Sequence, residues 1–481
     1  MIGENIDILS LKNLVGDLLK RIEVLEADNA VLRAENAVLR AENTVLRADN
    51  TALREQLNKK SHNSHKPPSS DGYGKKPALP QSKGNKSGGQ LGHKGRTLKM
   101  IATPDHTIVH HALSCCCCQK TFSSSDVQKI GQKRQVFDLP EPRLIVTEHQ
   151  EGLITCCGKV HKGIFPEAIG QPVQYGSKIR ALSVLLNNDY KLPFEKIEQL
   201  FADIYGCSYN ESTAISHNKV MYEALAPLEQ DIIDKILASN VVHFDETGMR
   251  VEGKLHWFHT ASTYLYTYLF VHPKRGKLAL HSEQSLLPRF KNWAVHDCWQ
   301  SYFEFKDCSH ALCNAHIVRE LQALLDNGSK WATEMHQFLL DLFEKTQKAT
   351  QILQDKDFWL QKFQFICQNA DAEEPQPIQS KRGRAKNSKG RNLLNRLVAH
   401  QDGILAFAFQ IDIPFTNNQA ERDIRCLKTK QKVATSFRTF DGAKQYARIQ
   451  SAISTFRKLN INIFQALIDI FDNKNVVLDY A

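Results

Sequence analysis

The sequence predicts a multidomain α/β protein that begins with a parallel coiled coil. Three observations support this: the chain length, a seven-residue leucine repeat near the N-terminus, and a change from helical to strand periodicity near residue 240. The 481 residues correspond to about three domains of roughly 150 residues each. No apolar run reaches the roughly 18 residues needed to span a bilayer, and MIGENIDILS does not resemble a secretory signal. We therefore expect a cytoplasmic protein.

The leucine repeat occupies the N-terminal segment 8–58. With leucine at heptad position d, asparagine recurs at position a from Asn29 to Asn50, which favours two parallel strands in register. Each acidic g position would face an arginine at the e position five residues later in a partner chain. These features predict a parallel homodimeric leucine zipper; the alternative is a solitary charged helix. The leucines are Leu11, Leu18, Leu25, Leu32, Leu39, Leu46 and Leu53, and the g–e pairs are Asp28–Arg33, Glu35–Arg40, Glu42–Arg47 and Asp49–Arg54.

A basic segment, 59–100, follows the zipper and is rich in Lys, Ser, Pro and Gly. It holds ten Lys and Arg residues and one acid, Asp71, so most of the chain's net charge of +10 lies in this segment. Such a composition predicts a flexible tether that binds a polyanion, nucleic acid above all, with Lys94 and Arg96 as candidate contacts. The alternative is a linker that only solubilises the chain.

Twelve cysteines in a cytosolic chain argue against a disulfide framework. Six of them lie between residues 115 and 157, which indicates a metal-binding module over residues 101–170 with short strands. Residues 171–238 are predicted to be helical, either as a helix-turn-helix that binds DNA or as helices that buttress the next domain. The other cysteines are expected to be small core residues: Cys207, Cys298, Cys308, Cys313, Cys367 and Cys426.

Strand periodicity begins near residue 239 and opens a domain expected over 239–430. In NVVHFDETG alternate residues face opposite sides, and Asp245 is expected at the end of a buried strand. The shorter segment AVHD repeats the pattern and ends in Asp297. Two aspartates at neighbouring strand ends can direct oxygens to one Mg²⁺ or Mn²⁺ ion, although a lone aspartate there is also common in turns.

Glu421 lies at the start of a predicted helix, with Arg425, Lys428 and Lys432 on the same face. An acid above a basic stripe suits a metal ligand beside a phosphate path. The spacing from Asn418 to Glu421 also fits a capping box, so spacing alone leaves both interpretations open. Two ions held by the three acids would activate water or a 3′-hydroxyl for in-line displacement at phosphorus.

Several motifs follow one another along most of the chain, between residues 85 and 470. Together with the cysteine-rich region, they resemble the insertion sequence 66 family of transposases, and their order and number are highly specific. The motifs are GGQLGHKG (88–95), QPVQYG (171–176), VVHFDETG (241–248), VHDCWQSY (295–302), HALCNAHIVREL (310–321), GRAKNSKGRNLLNRL (383–397), NNQAERDIR (417–425) and FRTFDGA (437–443).

The resemblance implies a ribonuclease-H-like catalytic core with an Asp-Asp-Glu triad that binds two Mg²⁺ or Mn²⁺ ions. By position, Asp245 and Asp297 match the two aspartates and Glu421 matches the glutamate. The helical segment at about 320–410 matches the family's insertion, and residues 431–481 form a C-terminal helical region.

The resemblance also covers two sets of metal-ligating residue types. Cys313 and His316 match a pair found after the second aspartate, which would shape the site or bind metal, although two ligands are too few for a closed zinc site. The family has a small zinc module, usually CxxC followed by a second cysteine pair; here Ile154 stands where a ligand is expected. The alternative is a degenerate module that no longer binds zinc. The candidate zinc ligands are Cys115, Cys118, Cys156, Cys157 and His161.

The function implied by the resemblance is that of a DNA transposase, nucleoid-associated, which cleaves and joins the ends of an insertion sequence. Its partners would be terminal inverted repeats, target DNA, a second copy of the chain, and the small companion proteins often encoded with family members. The alternatives are a non-catalytic dimeric zinc-containing DNA-binding regulator and a structure-specific nuclease on the same fold. Besides Lys94 and Arg96, the candidate DNA contacts are the loop 381–391, with Arg382, Arg384 and Lys386, and the helical Arg425, Lys428 and Lys432.

Overall fold

The computed structural model describes residues 8–57, 98–348, 353–376 and 387–478. Contacts divide the chain into two compact units, each assembled from separate stretches. Within the described ranges, no helix is long and apolar enough to cross a membrane. The first unit comprises Met1–Gly74, Trp293–Gln300 and Ser309–Asn417, and the second comprises Lys75–Asn292, Ser301–Cys308 and Asn418–Ala481.

The N-terminal helix α1 spans Ile8–Leu57, so the predicted helix is confirmed. Its 50 residues include no proline, and at 1.5 Å per residue the helix is about 75 Å long. The leucine stripe is exposed, from Leu11 at 51% to Leu53 at 57%. An exposed apolar stripe of this length is typical of a helix that pairs with another. The pairing itself stays a prediction, and the side chains of Arg47 and Arg54 lie outside the described residues.

The cysteine-rich region contains fewer strands than the sequence predicts. One antiparallel hairpin, β1 (Leu153–Cys156) with β2 (Lys159–Lys162), turns through Cys157 and Gly158, which both have positive φ. An isolated bridge between Ser114 and Thr121 closes a turn around the first cysteines. The remaining described residues up to 170 are mostly irregular and exposed, so little buried apolar surface fixes further strand pairing there.

Residues 171–238 form four helices, as the sequence predicts. A small core centres on Ile197, Phe201 and Tyr209, each at most 1% exposed. The helices are α2 (Ser177–Asn188), α3 (Phe194–Tyr205), α4 (Glu211–Ala224) and α5 (Ala226–Leu237).

A mixed sheet forms the centre of the second unit. Its antiparallel strands are β3 (Val241–Val251), β4 (Lys254–Ser262) and β5 (Thr267–His272), followed by the short helix α6 (Lys277–Leu280). The prediction that Asp245 ends its strand is wrong. The alternation continues through Thr247, Met249 and Val251, which are buried and paired with β4, so Asp245 lies inside an 11-residue strand.

The first unit holds a parallel strand pair and the helices of the predicted insertion. A Cβ added at Gly403 would lie 2.7 Å from the carbonyl oxygen of His310, so glycine permits the close packing of helix on strand at this point. The strands are β6 (Trp293–His296) and β7 (Ser309–Leu312), and the helices are α7 (Asn314–Leu325), α8 (Lys330–Lys348), α9 (Lys356–Glu373), α10 (Lys389–Ala399) and α11 (Gln401–Phe409).

The C-terminal helices complete the second unit. Met249 and Val251 of β3 share a buried apolar cluster with Ile424 and Leu427, so the helix that carries these two residues packs on the sheet. Because side chains alternate along a strand, Asp245 faces the same side of the sheet as Met249 and Val251. The elements are α12 (Asn418–Ala434), β8 (Ser436–Phe437, parallel to β3), α13 (Phe440–Lys458) and α14 (Ile463–Phe471).

Candidate active site

Asp245 lies opposite Thr260 of β4, on the sheet face against which α12 packs. Its Oδ1 accepts a hydrogen bond from the backbone N–H of Glu246 at 2.9 Å. On α12, Nζ of Lys428 lies 3.4 Å from the carbonyl oxygen of Gly248 on the same strand. Partial burial lowers the pKa of Lys428, and the negative charge of Asp245 opposes that shift. The carboxylate of Asp245 and the basic side of α12 therefore interact electrostatically.

Glu246 faces the other side of the sheet, and both of its oxygens accept hydrogen bonds. Nε of Arg275 donates to Oε1 at 2.9 Å, and the hydroxyl of Tyr302 donates to Oε2. The Glu246 side chain is only 2% exposed, and the Arg275 guanidinium lies 4.9 Å from the ring centroid of Trp257. Glu246 is thus engaged in fixing the strand, and Asp245 is the carboxylate of β3 that suits a cation.

The roles of Glu246, Arg275 and Tyr302 were not predicted from the sequence. The one local signal was the alternation in NVVHFDETG, which places Glu246 on the face opposite to Asp245. The partners lie 29 and 56 residues further along the chain, and only the tertiary fold brings them to Glu246.

Asp297 follows β6 directly, as predicted. Its Oδ1 accepts a hydrogen bond from the backbone N–H of Trp299 at 3.0 Å. This is the turn interaction that the sequence left open, and it is compatible with metal binding by the second oxygen.

The residue before Asp297 is the fully buried His296, whose Nε2 lies 2.9 Å from Nδ1 of His310 on β7. Burial lowers the pKa of His296 to about 3, so the ring is neutral near pH 7. A hydrogen bond between two histidine rings, of which His296 is neutral, therefore joins β6 to β7 next to the aspartate.

Glu421 lies in the first turn of α12, which begins at Asn418. Asn418 is thus the first helical residue, whereas a capping box needs the capping residue before the helix and the acid at its third position. Among the described residues, Oε1 of Glu421 is buried and has no hydrogen-bond partner. Such an oxygen is costly unless a cation neutralises it. The Glu421 side chain therefore fits a hard divalent cation such as Mg²⁺, which prefers oxygen ligands.

The predicted basic stripe is present on α12, where Arg425, Lys428 and Lys432 are all exposed. Glu421 and Lys428 are seven residues apart and so share one helix face. The other predicted DNA contacts, Lys94, Arg96, Arg382, Arg384 and Lys386, lie outside the described residues.

Arg391, the last residue of the basic loop 381–391, is not available for a phosphate. It is only 8% exposed, donates to the carboxylate of Asp371, and lies 3.1 Å from the carbonyl oxygen of Glu374. The hypothesis that the whole loop binds phosphate is therefore wrong for this residue, because a buried guanidinium with these partners faces the protein.

Cys313 and His316 lie where β7 passes into α7. The Cys313 sulfur and a ring nitrogen of His316 are within 4.8 Å of each other. The sulfur also accepts the backbone N–H of Asn417 at 3.1 Å, and Cys313 is only 2% exposed. These contacts give Cys313 a structural role at the junction.

The candidate zinc ligands form two separate local structures. The backbone of Cys115 exchanges hydrogen bonds with Lys120 and Gln119 at 2.9 and 3.1 Å, which makes a tight turn that includes Cys118. Hydrogen bonds from the Cys118 and Cys117 backbone lower the pKa of Cys115, which favours the thiolate that zinc binds.

The β1–β2 hairpin carries the remaining zinc candidates. Ile154 pairs with His161, and Cys156 pairs with Lys159, so Cys156 and His161 share one face, while Cys157 lies in the turn. Within the described residues, no three of the five candidate ligands bring their ligand atoms within 4.8 Å of one another.

Helices α3 and α4 are the pair expected to form a helix-turn-helix. Gly206 ends α3 in the left-handed conformation, and Asn210 caps α4 by accepting the Ser212 N–H at 2.8 Å. The first turns of α4 expose Ser212, Ile215 and Ser216. A short turn between capped helices is compatible with both interpretations of this segment.

Comparison with known families gives two matches. The family described as "Transposase IS66 family" matches residues 172–445, more than half of the chain, and this range includes Asp245, Asp297 and Glu421. A "Family of unknown function (DUF6444)" matches residues 17–99, which covers most of α1 and the basic segment. A search of curated proteins gave no match.

Proposed function

The chain belongs to the IS66 family of transposases, for which DNA is the substrate, and we propose that it cleaves and joins DNA ends with Asp245, Asp297 and Glu421. The observation that carries the proposal is the buried Oε1 of Glu421, which has no hydrogen-bond partner among the described residues and suits a cation. The packing of α12 on the face of β3 that holds Asp245 supports it as well.

The proposed site uses metal ions as cofactors. When bound by the three carboxylates, two Mg²⁺ or Mn²⁺ ions would supply charge for activating a water or 3′-hydroxyl and for stabilising the leaving oxygen. The fold in which we propose this to occur is a ribonuclease-H-like core, with the helical insertion at about 320–410.

The protein side chains orient the DNA and keep the carboxylates in place. Arg425, Lys428 and Lys432 lie exposed on the helix of Glu421 and would contact phosphates beside the cleaved bond. Arg275 and Tyr302 hold Glu246 and so restrain the strand at Asp245. A water would attack phosphorus and displace the 3′-oxygen of the element end, which frees its 3′-hydroxyl. That 3′-hydroxyl would then attack a target phosphodiester and displace the 3′-oxygen of the target strand, which joins the end to the target.

The N-terminal parts would recognise and pair the DNA ends. The exposed stripe of α1 supports a homodimeric zipper that brings two ends together. We further propose that the cysteine module binds one structural zinc, to which the Cys115 turn is suited, and that α3 and α4 contact the terminal repeats. A protein acting on chromosomal DNA in this way would be associated with the nucleoid.

A strand-transfer assay with pre-cleaved ends tests the proposal. We expect the wild-type protein to join such ends to target DNA in Mg²⁺, and the Asp297→Asn and Glu421→Gln variants to bind them without joining. Cleavage of uncleaved ends, assayed in parallel, without joining of the pre-cleaved ends would identify a structure-specific nuclease. Binding with neither reaction in the wild-type protein would identify a non-catalytic dimeric regulator, and either result would overturn the proposal.

A further inference from the structure

A partly buried ion pair joins α12 to α13 two residues beyond Glu421. Nζ of Lys458 lies 2.6 Å from Oδ2 of Asp423, and the two side chains are 12% and 11% exposed. No motif in the sequence analysis assigned a role to either residue.

The ion pair also holds the turn between β4 and β5. Lys458 donates to the carbonyl oxygens of Thr263 at 2.9 Å and Tyr266 at 3.1 Å, so all three ammonium hydrogens have acceptors. Asp423 accepts from the Thr267 hydroxyl at 3.2 Å as well. The Asp423–Lys458 ion pair therefore connects α12, α13 and the turn between β4 and β5.

The geometry of α12 places Asp423 on the face of the helix opposite to Glu421. Residues two apart on a helix are separated by about 200° around its axis. The Glu421 Oε1 has no hydrogen bond within the described structure, so none holds this atom directly. Its position depends on the first turn of α12, and helix ends fray unless other contacts hold them.

We infer that Asp423 and Lys458 are positioning residues that hold Glu421 in register for metal binding. The inference rests on the proposed function. A buried ion pair adds little net stability compared with apolar residues of the same volume, whereas it does fix a specific geometry. Partners outside the ligand shell of a metal orient its ligands, and their loss typically weakens metal affinity about 10- to 100-fold.

The Mg²⁺ dependence of end cleavage by the full-length protein tests this inference. We expect Asp423→Asn to raise the Mg²⁺ concentration for half-maximal cleavage by about 10-fold or more, with end-DNA affinity unchanged. Because Asp423→Asn leaves Lys458 buried without a counter-ion and can impair folding, the double variant Asp423→Asn/Lys458→Gln is measured in parallel. We expect the same direction of change there.

A second partly buried ion pair provides the matched control. Nε of Arg448, also on α13, lies 2.8 Å from Glu229 on α5, with side chains 19% and 16% exposed. Glu229→Gln should lower the melting temperature without changing the Mg²⁺ midpoint. An unchanged midpoint in both Asp423 variants, or an equal shift in Glu229→Gln, would overturn the inference.

Glu421→Gln separates this inference from the proposed function. If it abolishes cleavage while the Asp423 variants keep the wild-type midpoint, only the positioning inference fails. If Glu421→Gln cleaves normally, the proposed metal site itself fails and the inference fails with it.

Discussion

The backbone N–H of Asn417 donates a hydrogen bond to the sulfur of Cys313 at 3.1 Å. Both residues are only 2% exposed. Cys313 lies at the start of α7, and Asn417 directly precedes α12 in the chain. The hydrogen bond therefore connects the beginning of the helical insertion with its end, next to the segment that carries Glu421.

Replacement of Cys313 by alanine should remove the sulfur that accepts this hydrogen bond from the buried backbone N–H of Asn417. We expect a loss of about 1–3 kcal/mol in the free energy of unfolding and a clear loss of end cleavage. Urea denaturation and a single-turnover cleavage assay measure the two effects. Cys367→Ala on α9, at a residue that is also buried, is the control and should lose stability but retain cleavage. Full cleavage activity of Cys313→Ala would contradict a role for the Cys313–Asn417 hydrogen bond in cleavage.

Tyr302→Phe should remove one of the donors to the buried Glu246 carboxylate. Hydrogen bonds to charged groups contribute about 1.5–3 kcal/mol, so we expect a destabilisation in this range and slower cleavage. Tyr264→Phe, at a residue 80% exposed, serves as the control and should change the unfolding free energy by less than about 0.5 kcal/mol. Equal stabilities of the two variants would show that the Tyr302 hydroxyl does not hold Glu246.

His217 should make the protein less stable in mild acid. Burial, with a smaller effect from Arg180, lowers its pKa from 6.5 to about 4, and its Nδ1 lies 2.8 Å from the Tyr209 hydroxyl. Between pH 6.5 and 4 the unfolded chain binds more protons at this residue than the folded chain, so stability falls as the pH falls through that window.

The measurement is the free energy of unfolding as a function of pH. We expect His217 to contribute a decrease of about 1–2 kcal/mol between pH 7 and pH 4, and His217→Gln to remove that part of the slope. A wild-type slope in His217→Gln would show that another group is responsible.

The zipper prediction concerns the association state. Glutamate at two d positions, as in Leu32→Glu/Leu39→Glu, should dissociate the dimer because charged side chains would be buried in its seam. Sedimentation equilibrium of the full chain should give the mass of a dimer for the wild-type protein and of a monomer for the variant. Ala34→Glu, at an outward-facing f position, should remain dimeric. A wild-type monomer at micromolar concentration would refute the zipper.

The regular elements of the fold could be predicted from the sequence because each depends on local patterns. The heptad leucines predicted α1, the apolar alternation from Val241 predicted β3, and the helical segment expected at about 320–410 corresponds to α7 to α11. The end of β3 was missed because Thr247 and Gly248 look like a turn, although Met249 and Val251 continue the buried face. Local signals do not report how far a strand remains paired.

The three candidate acids could be proposed from the sequence, but the polar contacts that hold their strand and helix in place could not. Glu246 depends on Arg275 and Tyr302, and Asp423 depends on Lys458, which lies 35 residues away. Such polar pairs leave no periodic pattern, because each residue alone looks like an ordinary surface charge. The packing of α12 and α13 on the sheet removes these charged groups from water, and a charge removed from water needs a partner.

The central claim is that Asp245, Asp297 and Glu421 bind shared divalent ions. Its most direct test is the number of Mn²⁺ ions bound by the protein in complex with end DNA, counted by electron paramagnetic resonance. We predict about two ions per active site in the wild-type complex, and fewer in Asp245→Asn and Glu421→Gln at unchanged DNA affinity. The same number of ions, bound equally tightly, in all three proteins would contradict the claim.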